Sequence, residues 1–186
     1  MQTRNPFVAG HIGNTAHIDS ERLLHIYLAD HLAGSSGGVA LARRIAGENE
    51  GNDYGREMGA IAGAIEEDRE ALREIMERVG ARERRWRQAG ALLGERLARA
   101  KPNGALLSYS PLSRLLELEG MIMGVTGKLE LWRSLRELAR TDSRLSAAEI
   151  EALAGRAEEQ RARLEELHAR AAAELLVSAT RTRPAS

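Results

Sequence analysis

The sequence predicts an all-α protein, a bundle of four long helices. Three observations carry this. From Asp19 onward the apolar residues recur at three- and four-residue steps, the period of one helix face. Strand-like alternation is nearly absent. A chain of 186 residues, 43% hydrophobic and 29% charged, suits a single globular core rather than disorder.

Each element follows from its own signals. Asp19 or Ser20 caps the first helix, which runs to about Gly47 with the inner stripe Leu24, Leu28, His31, Ser35, Gly38, Ala42 and Ile45, because a short polar side chain satisfies free amides at a helix start. Residues Glu48 to Asp53 form a polar turn. The second helix covers about Gly55 to Val79, with the stripe Met58, Ile61, Ile65, Asp68, Leu72, Ile75 and Val79, and Gly80 ends it. Residues 81–100 read as an additional short, Arg-rich helix, and Lys101-Pro102-Asn103-Gly104 as a turn. Ser110-Pro111 opens the third long helix, since proline's missing donor costs nothing at the first helical position. Leu115, Leu118, Ile122, Val125, Leu129 and Trp132 mark its core face to about Arg140. Ser146 with Glu149 makes a capping box for the fourth, whose stripe is Ile150, Leu153, Ala157, Leu164, Leu167, Ala171 and Leu175. The expected organisation is an N-terminal arm over 1–18, one bundle domain over 19–177 and a flexible tail over 178–186.

Composition removes several function classes. With no cysteine, disulfides, thiolate metal sites and cysteine nucleophiles are excluded. The apolar runs are far shorter than the roughly 20 residues of a membrane span. The first 20 residues have no basic start followed by an apolar stretch, so no secretory signal is read and a cytoplasmic location is expected. Balanced charge, 27 basic against 27 acidic residues, argues against a nucleic-acid partner. The run Arg82, Arg84, Arg85, Arg87 around Trp86 is the best nucleic-acid candidate, yet neighbouring acids make it a solvated helix face.

In helix count and lengths, residues 20–177 resemble the ferritin-like superfamily of antiparallel four-helix bundles. That resemblance implies a carboxylate-bridged metal pair, built from a Glu on each of two helices and a Glu-x-x-His pair on each of the others, three-residue spacing placing both side chains on one face. Glu165 and His168 match one such pair, and Glu119 is the candidate from the third helix. The second helix offers Glu66 followed by Arg69 where His is required. A degenerate bundle without a cofactor is therefore the reading, with iron, manganese or zinc at Glu119, Glu165 and His168 as its alternative. The segment Tyr109 to Gly120, continued by Gly124, Lys128 and Trp132-Arg133, resembles uncharacterised bacterial helical proteins and adds no catalytic residue.

His31 and Asp68 interrupt apolar stripes near the middles of consecutive helices, where an antiparallel hairpin could bring them together. A buried hydrogen bond would satisfy both, and it could equally orient a proton-transferring imidazole. The structural role is favoured over the catalytic one. Glu117 and Glu119 compete with Leu118 for the inward direction. Gly34, Gly37 and Gly38 in the first helix and Gly120, Gly124 and Gly127 in the third form smooth faces, expected to pack backbone to backbone within the chain or across a dimer. The expected function is self-association as a homodimer or binding of a protein partner, with a metal- or His-dependent enzyme as the alternative.

Overall fold

The structure, a computed structural model, describes residues 19–81 and 109–181 of the chain. The arm 1–18, the short helix 81–100 beyond Ala81, the turn 101–104, the arginine run 82–87 and residues 182–186 of the tail lie outside the described residues. Four helices and no strand occur among those described: α1 (Ser20–Glu48), α2 (Asp53–Arg78), α3 (Pro111–Leu138) and α4 (Ala147–Arg181). None is long and apolar enough to cross a membrane.

The helix starts follow their caps. Asp19 accepts from the Glu21 amide at the start of α1. Asn52 accepts from the Gly55 amide, so α2 begins two residues before the expected Gly55. Ser110 accepts from the Ser113 amide with Pro111 behind it, and Ser146 from the Glu149 amide. The end of α2 is closed by Gly80 at φ 76°. The Gly80 amide bonds Glu77 and the Ala81 amide reaches Met76 at 2.8 Å, the paired closure that a left-handed glycine permits. The α1–α2 turn is tighter still. A Cβ on Gly55 would lie 2.2 Å from the Asn49 carbonyl oxygen, so only glycine lets the chain reverse this closely.

Helices α1 and α2 form one antiparallel hairpin, α3 and α4 another. Tyr27 reaches Ser134 and Arg44 reaches Glu117, so α1 runs antiparallel to α3. Tyr54 reaches Glu174 and Arg78 reaches Glu149, so α2 runs antiparallel to α4. It follows that α2 and α3 are diagonal and run in the same direction. Val79, after α2, lies beside His25 and the α3–α4 loop residue Arg144. Tyr109, before α3, bonds Asn49 at the opposite end.

The core divides into two apolar clusters to which all four helices contribute. One includes Leu28, Leu32, Leu72, Ile75, Leu129, Trp132 and Ile150. The other includes Ile45, Met58, Ile61, Leu118, Met121 and Leu164. Fully burying each such side chain contributes roughly 1.5–3 kcal/mol. The α2 stripe expected from the sequence is buried at every position, Asp68 included. The glycine faces behave otherwise. A Cβ on Gly34, Gly38, Gly124 or Gly127 would meet nothing within 4 Å, and one on Gly120 meets only Leu41 at 3.5 Å. The expected backbone-to-backbone packing of these faces does not occur between α1 and α3.

Candidate functional site

Between the two apolar clusters lies one buried polar group. Asp68 of α2, 1% exposed in its side chain, accepts from Lys128 of α3 at 2.6 Å. Gln160 of α4 donates to the same carboxylate at 3.0 Å, and its own carbonyl accepts from Lys128. Arg156, one turn earlier on α4, donates to the other Asp68 oxygen and extends to Glu67 at 3.6 Å. The stem of Arg156 bridges from a half-exposed position, whereas Lys128 is enclosed. Burial pushes the Lys128 ammonium below its usual range and Asp68 pulls it back, the two opposed effects expected of a desolvated ion pair.

The sequence expectation of a His31–Asp68 hydrogen bond is not met. Successive residues turn about 100° around a helix, so Glu66, which bonds Arg43 of α1, and Asp68 face different neighbours. Asp68 is satisfied from α3 and α4. His31 instead packs its ring edge-on against Tyr27, centroids 4.7 Å apart at 75°, on the side of α1 from which Tyr27 reaches α3. Burial lowers the His31 pKa and the Asp30 charge partly restores it. That favours a neutral imidazole at pH 7.

Glu119 and His168 do meet, Nε2 to Oε1 at 3.3 Å, but as a partly exposed pair between α3 and α4. Glu165 turns to Arg161 at 3.5 Å, also near the surface. Among the described residues no group of three or more His, Asp or Glu side chains could hold a metal ion. The described residues do not fit a carboxylate-bridged pair: among them the interior supplies one carboxylate, and Lys128, Arg156 and Gln160 already occupy both its oxygens. Lys128 holds by a covalent tether the positive charge that a metal would bring.

Two further clusters pin the ends. The guanidinium groups of Arg114 and Arg170 each stand over the Tyr54 ring, 4.3 and 4.6 Å from its centre, and the Tyr54 hydroxyl donates to Glu174. Nearby, Glu117 pairs with Arg44 at 3.0 Å; burial raises its carboxyl pKa against the opposing Arg44 charge, and its Oε2 is buried with no hydrogen bond. At the other end Arg144 joins Glu21 and the Val79 carbonyl, while Arg78 grips Glu149 with two bonds of 2.7 Å.

Sequence reasoning missed Lys128, Gln160 and Arg156 as partners of Asp68. One signal was present: Lys128 is one of only two lysines in a chain with 25 arginines, and it lies beside the apolar stripe of α3. Comparison of the chain with protein-family models, with curated proteins and with solved structures finds no match in any of the three, so the helices and their packing are what describes it: a four-helix, all-α bundle.

Proposed function

We propose that this chain is a non-catalytic bundle whose role is association, with a second copy of itself or with a protein partner. The observation that supports this reading is an asymmetry in where charge is placed. The interior charges are consumed by one another around Asp68. Ion pairs cross between α1 and α2, α2 and α4, and α3 and α4. Along α1 and α3 the one cross-helix pair among the described residues is Arg44–Glu117, at one end, and the outer surface there exposes Leu23, Ile26, Leu112, Leu116 and Met123. These side chains stand at the two ends and the middle of the α1–α3 face, and exposed large apolar side chains on one face support a protein contact there.

In the same reading the bundle is a ferritin-like scaffold with a lysine in place of metal, working in the cytoplasm. The rival, a metal- or His-dependent enzyme, draws on the Glu119–His168 contact alone. Elemental analysis of protein purified without added metal, with its mass in solution, separates the two. A metal-free dimer is the expected result. One or two iron, manganese or zinc ions per chain, lost in His168→Ala or Glu165→Ala, would overturn it.

A further inference from the structure

We infer that the outer face of α1 and α3 receives the same face of a second copy, across a two-fold axis perpendicular to the helices at Met123 and Gly124. This rests on the association reading above and specifies its surface and register. The face is large enough. From Leu112 to Ser134 it is roughly 35 Å long and, over two helices, roughly 20 Å wide, or about 700 Å² on each copy, near the roughly 800 Å² per partner of a stable interface.

The register comes from contacts within the chain. The pairs Tyr27 with Ser134, Leu41 with Gly120 and Arg44 with Glu117 all agree in setting Gly37 and Gly38 of α1 level with Met123 and Gly124 of α3. Rotation about that level brings Met123, at 70% the most exposed large apolar side chain among the described residues, against the partner's Gly124. It also sets Gly120 against the partner's Gly127. A Cβ at Gly124 or Gly127 would meet nothing within its own chain, so these hollows are open to receive an opposing side chain. The same rotation applied to α1 brings Asp30 to within one residue of the level of the partner's Arg44, within reach of its long side chain. Asp30 has no ion-pair partner among the described residues, whereas Arg44 keeps Glu117.

The native chain has no cysteine, so single introduced thiols report the geometry directly. Met123→Cys lies at the axis and is expected to give a covalent dimer under mild oxidation. Leu112→Cys is just as exposed, but its two copies lie roughly 35 Å apart, and it is expected to stay uncoupled. Gly124→Leu fills the hollow and is expected to convert the dimer to a monomer while its helical content and unfolding temperature are retained. A dimer that fails to couple at Met123→Cys, couples equally at Leu112→Cys, or survives Gly124→Leu would overturn this two-fold and leave the association reading standing. A native chain that is monomeric throughout the micromolar range, with the face covered by residues 82–108 or another protein, would overturn self-association itself.

Discussion

Asp68→Ala is the most informative single change in the bundle. It removes the carboxylate and leaves the Lys128 ammonium enclosed with the Gln160 carbonyl as its remaining partner. Arg156 is relieved more easily, because its guanidinium is half exposed and Glu67 is within reach. Lys128 can stay charged without its counterion or lose its proton. The second route has a ceiling: from a reference pKa of 10.5, deprotonation at pH 7 costs about 5 kcal/mol at 1.36 kcal/mol per unit. Breaking one side of a buried pair costs roughly 3–5 kcal/mol in general, so both estimates converge on about 4 kcal/mol. At about 2–4 °C per kcal/mol for a chain of this size, melting should fall by about 8–16 °C at pH 7. Circular dichroism at 222 nm during heating reads this directly. Asp68→Leu combined with Lys128→Met should recover most of the loss, because removing both charges leaves no orphan. An unchanged melting temperature for Asp68→Ala would refute the ion pair as described.

Other consequences can be checked in the same assay. Gly55→Ala forces a Cβ onto the Asn49 carbonyl and should cost at least about 2 kcal/mol, the scale of overpacking where backbone must move; a neutral effect would show that the turn is looser than described. The His31 pKa lies below 6.5 in the fold, so its neutral form is favoured. Stability is then present above pH 6.5 and falls as pH drops through the folded pKa, and His31→Leu should flatten the decline in melting temperature below pH 6.5. Equal slopes in both proteins would contradict the burial of that ring. Glu117 behaves oppositely: its folded pKa lies above 4.5, so the fold prefers the protonated acid. Glu117→Gln should therefore be the more stable protein at neutral pH, with the difference shrinking as pH falls through the folded pKa toward 4.5; a gap that widens on acidification would reverse the assignment.

Much of the fold was legible in local signals. Asp19, the Ser110-Pro111 pair and Ser146 each start a helix where the sequence predicts one, because capping chemistry acts over two or three residues and needs no tertiary knowledge. The stripe of α2 was legible in full for the same reason. Helix pairing was not. Periodicity shows which side of a helix is buried, yet Asp68 and His31 occupy sides that face different neighbours, and a stripe carries no label for the helix opposite it. The direction of α3 is likewise set by which end of the bundle the chain has reached at Tyr109, not by any residue within α3. Lys128 escaped notice because a long amphipathic side chain can start at the margin of an apolar stripe and still deliver its ammonium to the interior.

The polar centre and the end clusters together explain how so plain an apolar core selects one alignment of its hairpins. Leu, Ile and Ala at three- and four-residue spacing would tolerate a slip of α4 along α2 by one turn with modest loss, since one apolar side chain replaces another. The polar contacts would not. The same slip carries Gln160 and Arg156 away from Asp68, Glu174 away from Tyr54 and Glu149 away from Arg78 at once. Asp68 then stays buried with Lys128 of α3 alone, short of two of its three partners, so the misaligned state is penalised more than the aligned state is rewarded. This is the register role best attested for buried polar groups. It also bears on association. Two hairpins fixed in one register present Leu23 and Ile26 of α1 and Met123 of α3 at constant separation, and a contact between preformed surfaces loses less conformational freedom than one that must order its helices first. For the proposed dimer, Asp68→Ala is therefore expected to weaken dimerisation as well as folding, although Asp68 lies on α2, away from the face proposed to meet a second copy.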